Sequence, residues 1–121
     1  MTMKRYKDKI RRRLRRKIGI RNKIGGTPLR PRLTVYKSNR YTYIQVIDDT
    51  KGNTIAAASN IEKDLKNIKN HVEHIEKLGQ IIGKKLKQKK IAKVVFDRNG
   101  YPYHGIVKAV ADGVRKTGIV F

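Results

Sequence analysis

A chain of 121 residues is long enough for one compact domain with a modest core and too short for two. Its 31 Lys and Arg against 9 Asp and Glu give a net charge of +22, a self-repulsion that calls for a polyanionic partner. Nucleic acid is the expected partner, since each phosphate neutralised releases a counterion. The absence of cysteine excludes disulfides, thiolate metal sites and cysteine nucleophiles.

The first predicted unit is a basic arm over residues 1–29. Through Arg32 the chain carries fourteen of its Lys and Arg and a single acid, Asp8. Tyr6, Ile10, Leu14 and Ile18 recur every four residues and would draw a thin apolar stripe down one helix face. Around them Arg11, Arg12, Arg13, Arg15, Arg16 and Lys17 repel one another, so the free arm is expected to be disordered and to become helical where phosphates screen it. A solvated basic tail without fixed structure is the plainer alternative. The arm lacks the uninterrupted apolar run of a secretion signal. No stretch of the chain approaches the roughly 18 apolar residues of a membrane span. A membrane-surface helix would want a wide apolar face with Trp, Phe or Leu, whereas Trp is absent and Phe occurs only at Phe96 and Phe121. A soluble, cytoplasmic protein is expected, monomeric when free because its charge opposes self-association.

Gly25, Gly26, Thr27 and Pro28 form a hinge into a domain expected over residues 30–121. From Arg32 the pattern switches to period two. Leu33 and Val35 alternate with Thr34 and Tyr36, and after the turn Ser38-Asn39-Arg40 comes the β-rich run Tyr41 to Ile47, which reads as a hairpin. The turn residues 48–53 lead to a short third strand, Thr54 to Ser59. Alternation puts Tyr41, Tyr43 and Gln45 on the side opposite Ile44 and Val46. An open face carrying tyrosines resembles a platform on which bases stack, although tyrosines are also ordinary strand residues.

Ile61, Leu65, Ile68, Val72, Ile75, Leu78, Ile82 and Leu86 step by threes and fours and predict one long amphipathic helix. Its terminal cluster Lys84, Lys85, Lys87, Lys89 and Lys90 suits the negative end of the helix dipole, as a solvated end or as an RNA contact. Ile91 to Phe96 is a buried-strand candidate closed by the turn Asp97-Arg98-Asn99-Gly100. A last helix buries Ile106, Val107, Val110, Ala111 and Val114, and Gly118 stands where a C-terminal cap belongs. The order is βββαβα. It implies an α/β, α+β sandwich-like fold with a mixed four-stranded sheet and both helices on one face.

Asp48, Asp49, Asp97 and Asp112 lie at or after strand ends, where metal-dependent nucleases with a comparable core hold their carboxylates. Both Asp48-Asp49 and Asp97-Arg98 also read as turn formers. His71 and His74 are spaced to share a metal but flank Glu73 and Glu76 on a polar face with no third ligand. His104 has no neighbouring Ser or Cys to activate; it either hydrogen-bonds RNA or caps the final helix. Neither a catalytic residue, a metal nor a cofactor is expected.

The segments FDRNGYPYHGIVKAVADGVRKTGIVF and RPRLTVYKSNRYTYIQVIDD, with the arginine-rich start, resemble the bacterial large-subunit ribosomal protein eighteen family over essentially the whole chain. The resemblance implies a ribonuclease-H-like topology without nuclease function. It also implies a role joining 5S rRNA to the large-subunit rRNA in the central protuberance, among neighbouring ribosomal proteins. Matched position by position, RNA contacts are implied for Lys4, Arg5, Lys9, Arg11, Arg12, Arg13, Arg15, Arg16, Lys17, Arg21 and Lys23 of the arm. Arg30 and Arg32 fall at the first strand, Ser38, Asn39 and Arg40 at the hairpin turn, and Tyr43 and Gln45 on the exposed strand face. Arg98, Tyr103, His104 and Lys108, with Asp97, Gly100 and Gly105, match the C-terminal motif. Ile106 stands where the family pattern commonly has arginine, which removes a cation from that position.

Overall fold

In the computed structural model, which describes residues 2–121, the hairpin forms as its alternation requires. Strand β1 (Arg32–Lys37) pairs antiparallel with β2 (Thr42–Asp48), from Arg32 opposite Ile47 to Lys37 opposite Thr42. Strand β3 (Asn53–Ser59) continues the meander on β2. The fourth strand (β4, Val95–Asp97) runs parallel to β1, giving the mixed order β3-β2-β1-β4. A parallel neighbour needs a crossover, and helix α2 (Val72–Gln88) supplies it. Helix α3 (Ile106–Lys116) then packs beside α2 on the same face.

The core lies between that face and the two helices. Leu33 and Val35 of β1 and Ile44 and Val46 of β2 meet Ile75, Leu78, Ile82 and Leu86 of α2 and Val110 and Val114 of α3. The two helices approach closely because glycines line their crossing: a methyl group on Gly79 would strike the carbonyl of Val110, and one on Gly113 the carbonyl of Glu76. The predicted stop of α3 is also found, with Gly118 at φ 94° and its N–H on the carbonyl of Arg115.

Two element boundaries differ from expectation. The long helix starts at Val72, not Ile61, because the segment before it is tied to the hairpin by asparagines. The Asn60 side chain accepts the Thr42 N–H (2.9 Å) and donates to the Ile68 carbonyl (3.0 Å), while the Asn70 amide donates to the Ser38 carbonyl (2.9 Å). Residues 60–71 therefore form a fixed loop with one short 3-10 turn at Lys63–Leu65. The fourth strand is only three residues long because its predicted first half pairs elsewhere: Lys93 bridges Val120 and the Val94 N–H meets the Val120 carbonyl.

The lysines at the end of α2 are partly engaged at the sheet edge. Lys85 donates to the Ala57 carbonyl (2.8 Å) and Lys89 to the Ile55 carbonyl (2.5 Å), both on the outer strand β3. Two carbonyls that would otherwise invite another strand are thereby occupied.

Candidate nucleic-acid interface

The sheet face turned away from α2 and α3 carries Thr34 and Tyr36 from β1 and Tyr43, Gln45 and Ile47 from β2. Cross-strand register places Tyr36 opposite Tyr43 and Thr34 opposite Gln45. The two tyrosine rings lie 6.2 Å apart at 54°, so each offers a differently tilted surface.

The N-terminal segment is helix α1 (Met3–Arg21), capped by the Thr2 hydroxyl on the Arg5 N–H. It borders the open face, and its contact side is cationic rather than apolar. Arg16 Nε donates to the Gly100 carbonyl (2.9 Å), and the Arg13 guanidinium lies 4.0 Å from the centre of the Tyr101 ring. The apolar stripe seen in the sequence points to solvent, with Ile18 62% exposed.

The receiving surface is the turn after β4. Asn99 and Gly100 both take positive φ (53° and 78°), the Tyr101 N–H closes on the Arg98 carbonyl (3.0 Å), and the Asp97 carboxylate accepts the Asn99 N–H (2.9 Å). Gly100 is required twice, by its φ and because a side chain there would collide with the Arg13 carbonyl. Tyr101 is buried under Arg13 and clipped to β1, its hydroxyl accepting the Lys37 N–H (3.3 Å) and donating to the Lys37 carbonyl (3.1 Å). Burial pushes its phenol up from the ordinary tyrosine value, against the lowering effect of Lys37 and Arg13.

Behind the turn, Arg32 joins three segments. Its guanidinium donates to Asp97 (2.8 Å) and to both oxygens of Asp49 (3.0 and 3.2 Å), and Asp49 also accepts the Gly26 N–H (2.6 Å). Arg32 holds the Asp49 carboxyl below its ordinary value, with Gly26 adding to the effect against partial burial. Loss of hydration alone would lower Arg32, but its bonds to Asp49 and Asp97 outweigh this and raise it.

Three of the four carboxylates considered for a nuclease centre are engaged within the fold, Asp49 and Asp97 through one shared guanidinium. Asp48 accepts from Thr50, Asp49 and Asp97 hold Arg32, and no group of three metal-binding side chains occurs among the described residues. His71 and His74 have ring centres 6.1 Å apart on the α2 N-terminus, likewise without a third ligand among those residues.

Besides Tyr43 and Gln45 on the sheet face, the residues singled out in the sequence fall into four groups. Lys4, Arg5, Lys9, Arg11, Arg12, Arg15, Lys23 and Arg30 are exposed, Arg13 and Arg16 secure α1 to the turn, and Lys17 and Arg21 border the sheet face. Arg32 is engaged internally, with 11% of its side chain exposed. Ser38, Asn39 and Arg40 form an exposed tip, where Arg40 shares a surface hollow with Lys66, Lys69 and His71. In the C-terminal loop Arg98 holds the Tyr101 carbonyl (2.9 Å) and Tyr103 packs edge-on against Phe96 (5.8 Å), while His104 and Lys108 are exposed. The residue before α3 is Gly105 and no side chain caps the helix, so His104 does not cap it.

Sequence reasoning missed Thr34 and Tyr36 on the open face, although the same alternation that selected Tyr43 places them there. It also missed Lys66 and Lys69, which meet Arg40 only through the asparagine ties.

The assembled surface, an aromatic sheet face edged by a cationic helix, invites comparison with known proteins. Residues 7–121 match the family described as ribosomal L18 of archaea, bacteria, mitochondria and chloroplast. The chain is similar to the large ribosomal subunit protein uL18 of Treponema denticola, 57% identical over 118 residues that span 98% of both chains. It is 52% identical to the protein of the same name from Borreliella burgdorferi over 118 residues, 97% of this chain and 98% of that one. The corresponding figure for Treponema pallidum is 47% over 119 residues, 98% and 99% of the two chains. With full-length relatives at these identities and a family match across nearly the whole sequence, the chain belongs to the ribosomal L18 family.

Proposed function

We propose that this chain, a structural protein of the large ribosomal subunit and not an enzyme, binds 5S rRNA and helps attach it to the large-subunit rRNA in the central protuberance of the cytoplasmic ribosome. The observation that carries the proposal is the pairing of an uncovered tyrosine-bearing sheet face with a helix whose outer surface is dense in Lys and Arg. Rings and polar strand residues suit unpaired bases, and the cations suit the phosphate backbone.

The exposed cations of α1, from Lys4 to Arg15, neutralise phosphate along one RNA, and the hairpin tip with Arg40 and the loop bearing His104 and Lys108 make further contacts. Arg32, Arg13 and Arg16 act differently, holding the turn and α1 in place. Neighbouring proteins of the central protuberance would meet whatever surface the two RNAs leave uncovered.

Competition binding tests this directly: labelled 5S rRNA challenged with unlabelled 5S rRNA, a length-matched unrelated RNA, and DNA of the 5S sequence. The expected order of competition is 5S rRNA first, other RNA second, DNA last, since RNA recognition uses A-form shape and the 2′-hydroxyl. Equal competition by all three would remove 5S rRNA as the specific partner.

A further inference from the structure

A solvent-open cavity of about 690 Å³ lies between α1 and the open sheet face. Tyr36 and Tyr43 line one end, Thr34 and Gln45 stand beside them in the same cross-strand ladder, and Asn99 closes the side toward the β4 turn. Lys17 and Arg21 of α1 form the opposite wall.

Several polar groups of this cavity are not used by the fold, although Arg21 donates to the Ile24 carbonyl (3.1 Å) and lies 3.7 Å from the Asp49 carboxylate. The side chains of Asn99, Thr34, Gln45 and Lys17 make no hydrogen bond within the described residues and are accessible from the cavity. By contrast Asp97 and Arg32, which also border the cavity, satisfy one another.

We infer that the cavity receives one unpaired nucleotide of the bound RNA. Its base lies against the Tyr36 and Tyr43 rings, the amides of Gln45 and Asn99 and the Thr34 hydroxyl pair with the base edge, and Lys17 and Arg21 meet its phosphate. Amides and hydroxyls are the groups that donate to and accept from a base edge, and ring faces tolerate any base. A paired nucleotide cannot enter, because its edge is already occupied and its faces are stacked. This inference rests on the proposed 5S rRNA binding and adds to it a place where the protein reads a nucleotide rather than backbone shape alone.

The test uses the full chain with 5S rRNA and two double variants, Tyr36→Ala with Tyr43→Ala and Tyr36→Phe with Tyr43→Phe. Circular dichroism and thermal unfolding establish that each is folded, and the single variant Tyr36→Ala, at a half-exposed position, serves if the double alanine variant is not. Affinity and the 2′-hydroxyl acylation pattern of the bound RNA are read together.

The alanine variant should lose about five- to 150-fold in affinity, the effect of one stacked base, while the phenylalanine variant keeps wild-type affinity. One unpaired nucleotide protected by the wild-type chain should become reactive with the alanine variant, the rest of the footprint remaining. Unchanged affinity and footprint with alanine would overturn the inference while leaving 5S rRNA binding intact, as would an equal loss with phenylalanine. A wild-type chain that shows no preference for 5S rRNA over unrelated RNA would instead overturn the function on which the inference rests.

Discussion

Arg32 and Asp97, 65 residues apart in sequence, meet through a 2.8 Å hydrogen bond, and the Asp97 side chain is 1% exposed. The same guanidinium holds Asp49, which in turn fixes Gly26 within the hinge. One side chain therefore positions the β4 turn, the end of β2 and the approach from α1. Substituting Arg32→Leu leaves a buried carboxylate without its partner and should cost about 3–5 kcal/mol of stability. Urea unfolding measures this, and a loss under about 1 kcal/mol, the range of exposed ion pairs, would contradict it.

Asp49 has its carboxyl held down by Arg32, so its contribution to stability has a defined pH dependence. A lowered carboxyl contributes above the unfolded value of 3.8 and loses that contribution as pH falls through the folded value. The stability gap between the wild-type chain and Asp49→Asn should be constant near neutrality and narrow below about pH 4. Thermal unfolding at a series of pH values follows the gap, and one that widens in acid has the wrong sign for this account.

At the crossing of α2 and α3, Gly113 faces the carbonyl of Glu76 with no room for a methyl group. Alanine is ordinarily favoured over glycine inside a helix by about 1 kcal/mol. Overpacking at this crossing should reverse the sign and make Gly113→Ala destabilising by about 1–3 kcal/mol. Denaturant titration decides between the two, since a stabilised variant would mean the helices separate at little cost.

Much of the fold was legible because its signals are local. The alternation of Leu33, Val35, Ile44 and Val46, the spacing of Ile75, Leu78, Ile82 and Leu86, and Gly118 after α3 each report a single element. The start of α2 was not legible. Ile61, Leu65 and Ile68 continue the helical spacing, and only the ties from Asn60 and Asn70 to the hairpin turn that stretch into a loop. The contact side of α1 was hidden for a related reason. Hydrophobic periodicity selects Tyr6, Ile10, Leu14 and Ile18, whereas the contacts come from Arg13 on Tyr101 and from Arg16 on a carbonyl 84 residues away. At the candidate site, period two found Tyr43 and Gln45, but no local pattern marks Arg32 as engaged internally or brings Lys17 across from the tyrosines.

These contacts divide α1 into unequal halves. Arg13, Arg16, Lys17 and Arg21 of the second half are bound to the β4 turn or border the sheet, whereas Met3 to Arg12 have mutual repulsion and little packing to hold them. Amide hydrogen exchange on the RNA-free chain should show the second half more protected than the first, and Tyr101→Leu should reduce the difference by removing the ring under Arg13 while leaving the Arg16 bond to the Gly100 carbonyl. Uniform exchange along α1 before the substitution would show that the contacts with the turn do not order it.

We propose that specificity for 5S rRNA lies in the folded body and that the basic segment mainly adds phosphate contacts. The most direct test is a titration of the full chain and of a chain lacking residues 1–30 against 5S rRNA and a length-matched unrelated RNA, each across a salt series. If roughly eight phosphates are neutralised, the full chain should show log K falling against log salt with a slope of about −6 to −7. The shortened chain should keep its preference for 5S rRNA with a shallower slope. Loss of all preference on shortening, or a full chain with near-zero slope, would contradict the account.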